Sequence, residues 1–192
     1  MARRGSYAKG MAKREEILTT ALEVIARNGY RRTSVRDLAE AVGLSQAGLL
    51  HHFSSKEKLF EEILRKRDEV DATAFLSTLD GPIDRLLALV RHNAEVPGLV
   101  QLYAQVAVEA TDLGHPSRAF FVERYDRLRT LLAQFVRAEQ EAGRVDPELD
   151  PDRVATIFAA MTDGLQTQWL LDQSIDMGEH LAYFWHLATR LH

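Results

Sequence analysis

The chain has 192 residues, 46% of them hydrophobic and 27% charged, with a formal net charge of −4 and no cysteine. This balance excludes a chain disordered as a whole, a disulfide scaffold, thiol catalysis and cysteine-ligated zinc, and the 11 Gly and 5 Pro beside abundant Ala, Leu, Glu and Arg predict an all-α protein. Residues 1–60 carry 11 Lys/Arg against 6 Asp/Glu and residues 61–192 carry 13 against 22, so a basic head sits on an acidic body and a polyanion is the expected partner of the head.

No apolar run approaches the roughly 20 residues of a membrane span, and the N-terminus leads into no hydrophobic segment. A cytoplasmic protein without a membrane partner is therefore expected. Residues 1–10 are small, polar and basic without periodicity, and read as a disordered arm in which Arg3, Arg4 and Lys9 meet solvent or phosphate. From Met11 the apolar residues Ile17, Leu18, Ala21, Val24 and Ile25 recur at helical spacing, and Asn28-Gly29 supplies the stop. Thr33 or Ser34 opens a second helix carrying Val35, Leu38, Ala39 and Val42, which ends at Gly43. Ser45 then caps a third helix from Gln46, with Leu44, Leu49 and Phe53 turned inward and Gln46, Ala47, Gly48 and His51 on the outer face. Ser54-Ser55 caps a fourth that runs through Arg65, Lys66 and Arg67. Later helices are predicted from Pro82 to about Val96, Leu99 to about Thr111, Ser117 to Ala142, Pro151 to about Leu171 behind an Asp150 cap, and Met177 to Leu191. No strand-like alternation of useful length occurs. The predicted organisation is an arm over 1–10, a helix-turn-helix domain over 11–60 and a helical ligand-binding and dimerisation domain over 61–192.

Two short helices joined by three residues and braced by a preceding helix have the form of a helix-turn-helix. The small residues opening its outer helix let the backbone come near a major groove. There Gln46 can pair two ways with adenine and Ala47 can meet a thymine methyl. Ser45, Thr33 and Lys56 are placed for phosphates, and Arg36 for a groove edge or a phosphate. The same spacing also suits a helical corner in an ordinary all-helical protein with its charges solvated.

The stretch Ile17–Leu59, ILTTALEVIARNGYRRTSVRDLAEAVGLSQAGLLHHFSSKEKL, resembles the DNA-binding domain of the tetracycline-repressor (TetR) family of bacterial regulators. The resemblance rests on the Ala-rich first helix, Gly29, Thr33-Ser34, Leu38-Ala39, Val42-Gly43-Leu44-Ser45, Leu49, His52-Phe53 and Ser55-Lys56-Glu57 at the family's spacing. It implies that Arg36, Gln46, Ala47, Gly48 and His51 face bases or the groove, and that Thr33, Ser45, His52 and Lys56 lie on the phosphate side. It further implies a homodimer with a small-molecule pocket in the C-terminal domain. The chain departs from the family where Leu50 replaces the usual recognition-helix tyrosine and where the expected glycine falls one step late, at Gly48. An imidazole bonded to a neighbouring carbonyl is an equal alternative for His52.

In the body, Val154, Ile157, Phe158, Met161, Leu165 and Trp169 form a wide apolar stripe, while Ala155, Ala159 and Thr162 form a small-residue face. That small face, with Leu181, Phe184, Leu187, Ala188 and Leu191 of the last helix, is the expected contact with a symmetry mate. His92, Gln101, Tyr103, Tyr125, Asp163, Gln166 and Trp169 are the expected ligand-pocket residues. The seven histidines lack metal-ligand spacing, and no H-E-x-x-H, phosphate-binding loop or nucleophile elbow occurs, so neither cofactor, metal nor enzyme activity is expected. The predicted function is a ligand-responsive transcriptional regulator, a repressor released from a palindromic double-stranded operator by a small organic effector. The alternative is a helical ligand-binding or scaffold protein with weak or no specific DNA binding.

Overall fold

The computed structural model describes the backbone of residues 2–75 and 81–189, and the side chains of 8–75, 81 and 83–189. Among these the regular elements are all helical: α1 (Ala2–Asn28), a 3-10 turn (Tyr30–Arg32), α2 (Val35–Ala41), α3 (Gln46–Phe53), α4 (Lys56–Phe75), α5 (Pro82–Asn93), α6 (Pro97–Glu109), α7 (Arg118–Glu141), α8 (Pro151–Leu171) and α9 (Met177–Ala188). The chain folds as two compact units, Met1–Asp71 with Val96–Ser117, and Ala72–Glu95 with Arg118–His192.

In the first unit, Ile17, Ala21 and Ile25 of α1, Leu38 of α2, Leu49 and Phe53 of α3, and Leu59 and Ile63 of α4 are all at most 1% exposed, forming one apolar centre. Helices α2 and α3, of 7 and 8 residues, are too short to persist alone and are held by this burial. Helix α6 joins the unit by burying Leu99, Val100, Leu102, Tyr103 and Val106. Arg67 of α4 donates to the Leu99 carbonyl at 3.1 Å, giving the first turn of α6 a side-chain tie.

The second unit is built on the seam between α7 and α8, with α9 packed against α8 and α5 against α9. Phe120, Phe121, Phe135, Val136, Ala155, Phe158, Trp169 and Leu181 are buried. Phe135 stacks on Trp185 with ring centres 5.2 Å apart. Its helix starts follow the sequence: Pro151 opens α8 behind Asp150, whose carboxylate accepts from the amides of Asp152 and Arg153, and Asp176 caps α9 by accepting from Glu179.

Several expectations are corrected. The arm over 1–10 is helical from Ala2, because no proline stops propagation backward from the α1 nucleus; the side chains of Arg3 and Arg4 lie outside the described residues. Pro97-Gly98 opens α6 instead of separating two helices, since proline's fixed φ and missing N–H suit a first turn, and α5 ends earlier, at Asn93. The packing boundary is not at residue 60, because α6 returns to cover α1. Helix α9 ends at Ala188, and Leu191 lies outside the described residues.

Candidate nucleic-acid interface

The α2–α3 pair is shaped by two caps and one glycine. The Ser34 hydroxyl accepts from the Asp37 amide at 3.2 Å, and the Asp37 carboxylate accepts from the Ser34 amide at 2.7 Å, a reciprocal box that starts α2. These bonds from the Ser34 amide and hydroxyl hold the Asp37 carboxyl below the usual carboxylate range. Gly43 takes φ 69°, which lets the Leu44 amide donate back to Ala39 at 2.9 Å and turns the chain sharply. The Ser45 hydroxyl then accepts from Gly48 at 3.0 Å and starts α3. Leu49, fully buried, and Phe53, 1% exposed, fix the inner face of α3, so the opposite face has to point outward.

That outer face opens with Gln46 and Ala47, both exposed, followed one turn later by exposed His51. Gly48 is half-buried, and a Cβ there would sit 3.2 Å from Ser45 Oγ, so glycine keeps this edge slim. Ser45 is exposed, and its hydroxyl proton is not used by the cap, where the oxygen is the acceptor. Arg36 is exposed on α2 and pairs with Glu40 at 2.8 Å; this hydrogen bond raises the guanidinium further above its usual range. Lys56 is exposed at the start of α4, its ammonium 5.6 Å from the centre of the Phe60 ring. The arrangement offers neutral hydrogen-bonding groups along a narrow ridge with cations beside it, the chemistry of groove reading flanked by phosphate contact.

Thr33 departs from its expected phosphate role. It is 6% exposed, its hydroxyl donates to the Gly29 carbonyl at 2.9 Å, and its amide donates to Tyr30 at 3.1 Å, so both of its donors are spent inside the turn. At His52 the hydrogen bond runs through the backbone: its carbonyl accepts from Arg14 Nη1 at 2.6 Å, while its half-buried ring lies 6.3 Å from His51. Leu50, the departure noted in the recognition helix, is half-buried. Sequence reading missed Arg14, whose guanidinium lies 4.4 Å over the Phe53 ring and 3.0 Å from Glu62, tying the end of α3 to α1 and α4. It also missed Arg31 and Arg32, which line an open cleft of about 560 Å³ beside Gln46 and Lys56. The basic pair in Tyr30-Arg31-Arg32-Thr33 was the signal that would have found it.

The seven ligand-pocket candidates do not share a unit. Gln101 and Tyr103 belong to α6 in the first, and His92, Tyr125, Asp163, Gln166 and Trp169 to the second. Within the second unit, the Tyr125 hydroxyl donates to Asp163, and His92 stands 3.0 Å from the Glu95 carboxylate. Trp169 is buried, and the buried Gln166 amide oxygen has no hydrogen-bond partner among the described residues. No group of three or more metal-ligating side chains occurs among the described residues, and no described helix is long and apolar enough to cross a membrane.

Part of the expected dimer face is covered by the chain itself. Ala155, Ala159 and Leu181 are buried within the chain itself, and Thr162, Phe184 and Ala188 are half-buried. The surface left open on the two helices keeps Leu187 of the expected set and otherwise consists of Ile157, Ala160, Gly164 and Leu171 of α8 and Tyr183 of α9. Leu171 is 87% and Tyr183 66% exposed.

Comparison with known proteins places these features in a wider group. Residues 17–63 match the family model of bacterial regulatory proteins of the tetR family, and residues 82–183 match that of the BetI-type transcriptional repressor C-terminal domain. The chain is 32% identical over 171 residues to the HTH-type transcriptional repressor KstR2 of Mycobacterium tuberculosis, covering 82% of this chain and 81% of that protein. Among solved structures it is 33% identical to a transcriptional regulator from Saccharomonospora viridis in complex with choline, with TM-score 0.69 over 89% of this chain and 94% of that one. It is 25% identical to AibR, solved in complex with isovaleryl coenzyme A and operator DNA, with TM-score 0.62 over 92% and 98% of the two chains.

Proposed function

The chain belongs to the tetR family of bacterial regulatory proteins and is a ligand-responsive, DNA-binding transcriptional regulator, and from that premise we propose that it is a cytoplasmic homodimeric repressor, not an enzyme, released from a palindromic operator by a small organic molecule. The observation that carries this reading is the exposed ridge Gln46-Ala47-Gly48 with His51, standing on a helix whose other face is locked by Leu49 and Phe53. Gln46, Ala47, Gly48 and His51 read the groove, and Arg36, Ser45, His52 and Lys56 hold the backbone. Thr33 braces the turn beneath them.

One recognition helix spans few base pairs, and pairing two heads about one DNA turn apart, roughly 34 Å, multiplies weak half-site affinities. The open stripe Ile157, Ala160, Gly164, Leu171, Tyr183 and Leu187 is the surface we assign to the partner copy. In the second unit, Tyr125, Asp163, Gln166 and Trp169 are the residues we assign to the effector, the unpartnered Gln166 oxygen being an acceptor available to it. Two structural relatives hold choline and isovaleryl coenzyme A, which is in keeping with an organic effector here. An effector has to favour one arrangement of the heads over the other, since equal affinity for both shifts no population.

The test is a footprint on the DNA upstream of the protein's own gene, combined with sedimentation. The reading expects one protected, twofold-symmetric segment and a dimer that Leu171→Glu with Tyr183→Glu converts to monomer with loss of protection. A folded dimer that protects no segment at low salt refutes it.

A further inference from the structure

Positive charge collects in one place in the first unit, in a cleft that no carboxylate lines. The open cleft of about 560 Å³ lies among the 3-10 turn, the start of α2, Gln46 of α3 and Lys56 of α4. Arg31, Arg32, Arg36 and Lys56 line it, together with Ser34 and Gln46, and no Asp or Glu does. Arg36 is already paired with Glu40. Arg31 and Arg32 are exposed and make no ion pair among the described residues. Like charges gathered in this way repel one another, and a polyanion bound in the cleft relieves that repulsion.

The turn that carries the two arginines is braced. Gly29 enters it at φ 82°, Thr33 ties back to Gly29 and Tyr30 with its hydroxyl and amide, and the Tyr30 ring stands edge-on to Phe60 at 5.2 Å. The guanidiniums therefore project from a fixed platform, which lowers the entropy lost when they engage a ligand. A guanidinium fork matches two phosphate oxygens at once, and a phosphodiester is small enough to enter an open groove beside Gln46.

We propose that Arg31 and Arg32 form a phosphate-gripping ledge, which together with Lys56 holds the operator backbone along the cleft beside Gln46. The proposal rests on the DNA-binding reading above and adds two residues that the helix-turn-helix pattern does not assign. The ledge sets affinity without reading sequence, because phosphates are the same at every base pair.

The test uses the full chain and two duplexes of equal length, one from upstream of its own gene and one with that sequence scrambled, titrated by fluorescence anisotropy across a salt series. Arg31→Ala and Arg32→Ala should each reduce the magnitude of the slope of log affinity against log salt by about 1, equally on both duplexes. The double Lys replacement should keep the wild-type slope. If the double Ala variant keeps wild-type affinity and slope while Lys56→Ala lowers both, the ledge is refuted and the DNA-binding reading stands. If the wild-type chain binds neither duplex, both are refuted. Calorimetric titration with inorganic phosphate separates the remaining source: saturable phosphate binding lost in the double Ala variant, with an unchanged DNA slope, makes the cleft a free-anion site and overturns the proposal.

Discussion

Gly98 of α6 rests directly on the backbone of Ile25 in α1: a Cβ at position 98 would lie 2.2 Å from the Ile25 carbonyl oxygen and 2.9 Å from the Gly29 Cα. Neither neighbour is a side-chain end that can swing aside, so any larger residue has to push α6 away from the end of α1. The turn carrying Arg31 and Arg32 begins at that same Gly29. Gly98→Ala is expected to destabilise the first unit by about 1–3 kcal/mol, the range for overpacked contacts, and to weaken DNA binding by displacing the turn. Denaturant unfolding and anisotropy on the same preparation check both. Unchanged stability would mean that α6 does not make this contact.

Ser54 closes α3 at φ 70°, the one described non-glycine residue with positive φ. Its side chain is exposed, and the cap is made by its amide, which donates to Leu50 at 2.8 Å. Only glycine takes this backbone conformation freely. Ser54→Gly should therefore raise stability by about 1 kcal/mol, read as a higher denaturant midpoint with an unchanged slope. A lower midpoint would contradict the assigned backbone.

Burial pushes the Glu62 carboxyl up, but the Arg14 guanidinium, 3.0 Å away, and the Lys58 ammonium outweigh it and hold the group below the ordinary glutamate range. A carboxyl depressed on folding stabilises the protein fully above its unfolded pKa, about 4.3, and that contribution is lost as pH falls through the lower folded value. The wild type should lose stability on acidification below about pH 5. Glu62→Gln should be less stable at neutral pH and show a shallower acid limb. Parallel stability curves for the two would show that the Arg14 pair contributes nothing.

The sequence made the caps and the inner faces legible because each depends on neighbours a few residues away. Ser34, Ser45, Asp150 and Asp176 all cap helices with a following amide three or fewer positions on. What local pattern does not carry is a contact made across the chain. Pro97-Gly98 reads as a break until Ile25 is known to lie beneath it. Thr33 reads as a phosphate donor until both of its donors are found committed to Gly29 and Tyr30. Helix α8 has two faces that periodicity renders equally coverable, and its own chain covers the one carrying Ala155 and Ala159, leaving Ile157 and Leu171 outside. The ridge from Gln46 to His51 was legible throughout, because buried Leu49 and Phe53 leave it only one way to face.

The central claim is that the α3 ridge reads base pairs. Its most direct test is an affinity profile of wild type and Gln46→Ala on the upstream duplex, with each base pair of the protected segment substituted in turn. The account predicts that Gln46→Ala erases about 1–3 kcal/mol of discrimination at one base pair in each half-site and leaves the other positions alone. Superimposable profiles for the two proteins would contradict it.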